Sequence, residues 1–174
     1  GFKSTWATLL HDGVDTNSGF TKANVQLSRN FRPDTSKDKA ISGIEITVKA
    51  DSTLYDGRFA NIAWLQELPD PMTKITWDNV AAMSPATAKD LGVENEDVVE
   101  ITSNGNTIKI AAWIQPGQAD NSISLTVGYG REGIGRVATR YIDYTTGGVD
   151  TYPLLGAEFF SEATVSKTSD TYEI

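Results

Sequence analysis

The sequence contains no cysteine and a single histidine, His11. Within these 174 residues, the lack of thiols excludes disulfides, thiolate catalysis, zinc–thiolate sites and iron–sulfur ligation. One imidazole cannot provide a two-histidine metal site, and no Ser–His–Asp or phosphate-loop pattern is present. We therefore predict neither catalytic residues nor a metal site in this chain.

Positive charge and long apolar runs are also scarce. The chain has 15 Lys and Arg against 23 Asp and Glu, which gives a net charge of −8. Binding to nucleic acid requires clustered basic residues to neutralise phosphates, so we predict no nucleic-acid partner. No apolar run approaches the ~20 residues that span a bilayer, so we predict no direct membrane insertion.

Glycine is concentrated in one stretch that needs an explanation, "VGYGREGIGRV" at residues 127–137. Gly128, Gly130 and Gly133 match the G-x-G-x-x-G pattern of dinucleotide-binding loops. Such a loop requires a strand before it and a long helix after it, whose amino end meets the pyrophosphate. The following residues are β-branched, aromatic or glycine and lack a helical apolar stripe. The pattern therefore favours a turn between strands over a dinucleotide-binding loop.

Apolar and polar residues alternate in several segments. In "GIEITVKAD", Ile44, Ile46 and Val48 fall on one face, as in a half-buried strand. The segments at 97–114 and 122–127 alternate in the same way. Between two of these strands lies Asn104-Gly105, whose residues tolerate positive φ, so a β-hairpin is predicted there.

Helical signals are few. "SPATAKDLG" at residues 84–92 predicts one short helix, with Ser84 as the N-cap, Pro85 at the first helical position and Gly92 at the left-handed end. Residues 60–65, "ANIAWL", begin like a strand, and "PDP" at 69–71 interrupts regular structure. Many short strands with one short helix and frequent turns predict a closed β-barrel.

One family shares this arrangement. The segment 54–137, and above all "SPATAKDLGVENEDVVEITSNGNTIKI" with the "IQPG" that follows, resembles the C-terminal, pterin-dinucleotide-binding domain of molybdopterin oxidoreductases. The resemblance implies a mainly β fold, a six-stranded double-psi barrel of the aspartate-decarboxylase type with one or two short helices and long loops. We expect a loop-rich N-terminal extension at 1–43, the barrel at 44–137 and a C-terminal extension at 138–174.

The flanking motifs narrow the resemblance. "DGRFANIAWLQELPDP", "VGYGREGIGRV", "GVDTYPL" and "VSKTSDTY" are similar to the iron–sulfur and molybdopterin-like subunit of alternative complex III, a membrane-bound quinol-oxidising respiratory complex. The resemblance implies a piece of a longer subunit, with iron–sulfur clusters in a region beyond residue 174. It also implies association with other subunits at the outer, periplasmic face of the cytoplasmic membrane.

The resemblance further implies where an ancestral cofactor cleft would lie. Catalytic relatives carry His and Thr after a "GR" loop, where these residues meet the pterin, but this chain has "FANIAWLQELPDP" there. Trp64, Leu65 and Leu68, together with two prolines, are expected to fill or reshape the cleft. The candidate residues of this vestigial cleft are Arg58, Asn61, Gly128 and Gly130.

The leading hypothesis is therefore a non-catalytic scaffold domain of an electron-transfer subunit that binds no cofactor itself. Its predicted contacts with neighbouring domains are Trp64, Gln66, Trp77 and Asn79, although the same residues could instead pack the domain's own core and loops. One alternative is a functional domain that binds molybdopterin dinucleotide in a molybdenum or tungsten oxidoreductase. Another alternative is a free-standing ligand-binding barrel.

Overall fold

The computed structural model describes residues 1–15, 18–26, 41–133, 135–138, 147–156 and 160–174. The chain forms two compact units, Gly1–Lys39 and Ala40–Ile174. Across the described residues, every helix is too short or too polar to cross a membrane.

The first unit contains a helix that the sequence analysis did not predict. Helix α1 (Phe2–Asp12) ends at Gly13, which has the left-handed φ of 69°. Phe2 and Trp6 lie one turn apart and stack with ring centroids 6.3 Å apart, and both are exposed. The extension predicted as loop-rich at 1–43 therefore begins with a helix.

The second unit is a closed barrel. Its strands are β1 (Ile44–Ala50), β2 (Ala81–Met83), β3 (Asp97–Ser103), β4 (Asn106–Ile114), β5 (Ser122–Val127) and β6 (Phe160–Thr171). The order around the barrel is β1-β5-β2-β4-β3-β6, and β6 pairs back onto β1. Closure leaves none of these strands at an open edge.

Parallel pairing distinguishes this barrel from a simple meander. β1 runs parallel to β5, and β2 runs parallel to β4, while the other neighbours are antiparallel. The predicted fold class, a mainly β six-stranded double-psi barrel with few short helices, is confirmed. The barrel extends beyond the predicted limit at residue 137, because β6 lies in the stretch predicted as a C-terminal extension.

The local signals from the sequence are confirmed in the structure. Asn104 and Gly105 have φ of 51° and 80° and join β3 to β4, with Ser103 opposite Asn106. In helix α3 (Pro85–Leu91), the Ser84 hydroxyl accepts a hydrogen bond from the Thr87 N–H, and Gly92 takes the left-handed conformation at the end.

The alternating positions fill the barrel interior. The main core cluster combines residues from every strand, and its fully buried members include Ile46, Ile101, Ile110, Ile123 and Leu125. Each such side chain contributes about 1.5–3 kcal/mol relative to an exposed position. The predicted inward faces of β1, β4 and β5 are therefore confirmed.

A long connection between β1 and β2 packs with residues after β5 in a second, smaller core. Leu54, Ala60, Tyr129 and Ala138 are buried together, and Leu65 packs against them. The segment predicted to begin like a strand instead forms a single helical turn, α2 (Ala63–Gln66). The prediction failed because the apolar run is short. Over so few positions, the four apolar residues around Ile62 fit the periodicity of a helix and that of a strand equally well.

An ion pair fixes the closing strand β6 to β3. The Lys167 Nζ donates to Asp97 Oδ2 at 2.6 Å, and the Glu94 N–H donates to the same oxygen. The Lys167 ammonium beside Asp97 holds the pKa of that carboxyl below its usual range.

This pKa shift predicts a pH-dependent contribution to stability. A carboxyl whose pKa is lower in the folded chain stabilises fully above its unfolded value, about 3.9, and loses that contribution as pH falls through the folded value. We expect Asp97→Asn to lower the free energy of unfolding at pH 7 and to differ less from the wild type at pH 3. Urea denaturation of both proteins at the two pH values measures this difference. An equal difference at both values would contradict the prediction.

Candidate functional site

Three loops at one end of the barrel form an open groove. The first loop follows β1, the second follows β5, and the third precedes the 3₁₀ turn at Tyr152–Leu154. The groove has a volume of about 1260 Å³ and is lined by Asp56, Gly57, Arg58, Asn61, Gly130, Arg131, Glu132, Asp150 and Tyr152. Three of the four predicted cleft residues, Arg58, Asn61 and Gly130, therefore line one groove.

The fourth predicted residue, Gly128, lies beside the groove and lets two of its loops touch. A Cβ built on Gly128 would lie 3.0 Å from the Gly57 nitrogen, and a Cβ on Gly57 would lie 3.0 Å from the Gly128 Cα. The loops after β1 and after β5 thus meet backbone to backbone. Larger side chains at either position would separate the loops.

Gly130 makes a still closer approach to the third loop. It has a φ of +70°, and a Cβ there would collide with the backbone nitrogen of Asp150. The Gly130 N–H also donates to the carbonyl of Gly147 at 2.9 Å. The open side of this glycine is therefore covered by the chain's own backbone. The prediction that the glycine-rich stretch is a turn after a strand is confirmed for the described residues 128–133 and 135–138.

Arg58 is held by an acidic neighbour in the same loop. Its Nε and Nη2 donate to the two carboxylate oxygens of Asp56, at 2.9 and 2.7 Å. The guanidinium also lies over the ring of Tyr55, 5.2 Å from its centroid. The hydrogen bonds from Arg58 lower the pKa of Asp56 to about 2, so this carboxylate stays charged at any ordinary pH.

Arg131 and Tyr152 bridge the loops by side chain to carbonyl hydrogen bonds. The Nη1 of Arg131 donates to the carbonyl oxygen of Gly57 at 2.5 Å. The hydroxyl of Tyr152 donates to the carbonyl oxygen of Asp56 at 2.7 Å. The loop after β1 is consequently tied to both of its neighbours.

Asn61 ties the loop after β1 to the far side of the glycine-rich turn. Its Oδ1 accepts a hydrogen bond from the Val137 N–H at 3.1 Å. A Cβ built on Gly135 would overlap the Asn61 amide. Asn61 thus shapes the groove wall from within the domain.

The predicted interface residues occupy two different environments. Trp64 is 85% exposed, and Trp77 is half-buried with a left-handed φ of 67°. Gln66 and Asn79 are buried inside the unit, at 4% and 6% exposure. The interface role of these residues stays a prediction, and only the tryptophans present side-chain surface for such a contact.

Gln66 and Asn79 bond to the domain's own backbone. The Gln66 Nε2 donates to the Ala60 carbonyl at 2.8 Å. Asn79 donates to the carbonyls of Thr126 and Val149 and accepts from the Val149 N–H, at 2.8–2.9 Å. Asn79 thus connects the end of β5 to the loop that covers Gly130.

The structure corrects the expectation that bulky residues plug the cleft. Trp64 and Leu68 are exposed, and neither they nor the two prolines line the groove. Leu65 packs into the small core cluster under the loop instead. Trp64 and Leu65 lie in the short helical turn α2, whereas a strand would have placed them on alternating faces.

Several groove residues were not predicted from the sequence. Asp56, Arg131, Glu132, Asp150 and Tyr152 line it but belong to loops far apart in the chain. One available signal was the Asp-Gly-Arg run at 56–58, in which a carboxylate and a guanidinium lie two residues apart. No local sequence pattern indicates that this run lies next to the loops at 128–132 and 150–152.

A buried phenol, Tyr129, lies in the sequence between Gly128 and Gly130. Burial raises the pKa of Tyr129 above its usual range, and the nearby carboxylate of Asp51 adds to the effect. The phenol therefore stays protonated and contributes to packing in the small core cluster. The described part of the chain contains no cluster of His, Cys, Asp and Glu that could hold a metal ion.

Comparisons with known proteins agree with the fold. Acetylene hydratase from Pelobacter acetylenicus is among the solved structures that resemble it, with a TM-score of 0.51 and 14% sequence identity. The likeness covers 78% of this chain but only 19% of that chain, and at this identity it shows the fold alone. No curated protein matches the sequence.

The sequence itself matches one family. Residues 63–152 match the family described as "Molydopterin dinucleotide binding domain". The matched range includes helix α3, strands β2 to β5 and the glycine-rich turn, which is more than half of the chain. The chain belongs to the molydopterin dinucleotide binding domain family.

Proposed function

We propose that this chain is a structural, non-catalytic domain of a membrane-associated, quinol-oxidising electron-transfer subunit and that it no longer binds the pterin dinucleotide. The resemblance to the alternative complex III subunit motivates the setting, with iron–sulfur clusters elsewhere in the subunit and a position at the periplasmic face. The observation that supports the loss of the cofactor is the set of charged groups in the groove.

A molybdopterin dinucleotide carries a negatively charged pyrophosphate, so its site needs free cationic or N–H donors. The groove instead presents three carboxylates, Asp56, Glu132 and Asp150, and two guanidinium groups. Both arginines already donate to acceptors in the loop after β1. This engagement of both guanidinium groups, beside three carboxylates, supports the proposed loss of the dinucleotide.

Glycine geometry supports the same proposal. In dinucleotide-binding loops, the second glycine of the motif lets a pyrophosphate approach the backbone. Here the second glycine, Gly130, is approached by Val149 and Asp150. The space that a phosphate would need next to this glycine is filled by protein.

The exposed tryptophan supports a scaffolding role. Six large apolar side chains between residues 55 and 72 are exposed, namely Tyr55, Phe59, Ile62, Trp64, Leu68 and Met72. Large aromatic side chains at protein surfaces favour contacts with other proteins. We place the contact with the rest of the subunit on this segment.

Direct chemical analysis tests the proposed function. The full-length protein, purified from its native membrane complex, should contain no stoichiometric molybdenum or tungsten by mass spectrometry. Its oxidised extract should likewise lack pterin fluorescence. Stoichiometric metal and pterin would overturn the proposal and favour the functional oxidoreductase domain, which the family match alone would support.

A substitution tests the contact surface. Because Trp64 is 85% exposed, Trp64→Ser should change the free energy of unfolding of this chain by no more than about 0.5 kcal/mol. In the full complex, the same change should weaken retention of neighbouring domains or subunits during purification. Phe20→Ser is the control, since Phe20 is fully exposed and lies outside the segment. Unchanged complex stability with Trp64→Ser would contradict the contact.

A further inference from the structure

The groove contains its own substitute for an anionic ligand. We propose that the Asp56 carboxylate occupies the anion-binding face of Arg58, and that Asp56 and Glu132 together keep a latent anion site from binding phosphate groups. This inference rests on the proposed function, because it explains how a domain of this family excludes its dinucleotide.

The geometry of the Asp56–Arg58 pair is that of an occupied anion site. A guanidinium binds phosphate and carboxylate in the same way, through two parallel N–H donors. Arg58 uses this fork on Asp56, through Nε and Nη2. The Arg58 backbone N–H adds a third bond to the same carboxylate at 3.0 Å. A phosphate that uses this fork would have to displace the two guanidinium contacts with Asp56.

The second arginine is engaged in a different way. Arg131 donates Nη1 to the Gly57 carbonyl, and its Cδ and Nη1 lie against the Gly57 Cα face, where a Cβ would come within 3.0 Å of them. Arg131 therefore forms no ion pair with a described acidic side chain and holds the loop that carries Asp56 and Arg58. The Arg131 guanidinium lines the groove, where it would help to bind an anion once the Asp56 carboxylate is removed.

Two further carboxylates in the groove also oppose the binding of a phosphate group. Glu132 and Asp150 line the same space as the two arginines. Carboxylates a few ångströms from a phosphate repel it, and the repulsion is large enough to change affinity at a partly exposed site. Removing the charges of Asp56 and Glu132 would leave one carboxylate and two guanidinium groups, with the Arg58 fork free.

Titration of this chain with inorganic pyrophosphate and with GDP tests the inference. We expect no saturable binding to the wild type by calorimetry. The double variant Asp56→Asn, Glu132→Gln should bind pyrophosphate at least about tenfold more tightly than the wild type. Adding Arg58→Ala to the double variant should remove the gain. Glu132→Gln alone, at an exposed position, should give a smaller gain without touching the Asp56 hydrogen bonds.

A matched control separates this site from a general charge effect. Asp170→Asn, Glu173→Gln removes the same two charges from exposed positions at the end of the chain, outside the groove lining. This variant should gain no affinity for pyrophosphate. Circular dichroism melting of each variant verifies that the barrel is intact.

The outcomes distinguish this inference from the proposed function. Saturable pyrophosphate binding to the wild type, no gain in the folded double variant, or an equal gain in the control variant would each overturn the inference. A full-length protein without pterin, combined with any of these results, would leave the proposed function standing. Stoichiometric pterin in the full-length protein would overturn the proposed function, whatever the variants of this chain bind.

Discussion

Replacing Gly130 with alanine should destabilise the folded chain by about 2–5 kcal/mol, because two penalties combine at this position. Alanine at φ +70° costs about 1–2 kcal/mol of backbone strain. Its Cβ would also meet the Val149 carbonyl carbon at 2.6 Å and the Asp150 Cα at 2.8 Å. These are backbone atoms, so the whole loop at 147–152 must shift, and such overpacking typically costs about 1–3 kcal/mol.

Gly133→Ala is the matched control for this prediction. Gly133 belongs to the same glycine-rich turn and has nearly the same φ, +67°, but a Cβ there meets none of the described residues within 4 Å. It should therefore cost only the backbone strain, about 1–2 kcal/mol. Urea denaturation of the two variants measures the difference. Equal losses would show that the contact with Val149 and Asp150 does not exist in solution.

The same glycines show how far the sequence could predict this part of the fold. The lack of a helical apolar stripe in the sequence after Gly133 was enough to favour a turn over a dinucleotide-binding loop, because that signal is local. The close contact of Gly130 with the backbone of Val149 and Asp150 depends on the loop at 147–152, about twenty residues further along the chain. No spacing in the sequence indicates that contact.

Local chemistry accounts for the elements that were predicted. Asn104-Gly105 forms a hairpin because its two residues accept positive φ, and Ser84 begins helix α3 because its hydroxyl accepts a backbone hydrogen bond. Long-range pairing accounts for what was missed. Strand β6 pairs with β1 across more than 100 residues, as at Ile44 with Ala163, and its own pattern of burial alternates weakly.

The candidate site was predicted in part for the same reason. The resemblance gave Arg58, Asn61 and Gly130, which come together in the groove. It gave no indication of Asp56, whose carboxylate decides what Arg58 can bind. It also misplaced the bulky residues after Asn61, because this segment forms a single turn of helix instead of a strand and leaves Trp64 exposed.

The second large effect is expected at Asn79. Asn79→Ala should lower the free energy of unfolding by about 2–4 kcal/mol, because it removes three hydrogen bonds and takes this side-chain partner from both polar backbone groups of Val149. Both polar backbone groups of Val149 bond to this side chain, and the Thr126 carbonyl accepts a third bond from it. With only 6% of the residue exposed, little water can replace these partners. Urea denaturation measures the loss, and hydrogen exchange at the Val149 amide should accelerate.

Thr151→Val provides the comparison, because it removes one hydrogen bond without changing the shape of the side chain. The Thr151 hydroxyl donates to the same Thr126 carbonyl, which keeps its bond from Asn79 after the substitution. The expected loss is therefore about 1 kcal/mol. If Asn79→Ala costs no more than Thr151→Val, Asn79 does not hold the loop at 147–151 in place.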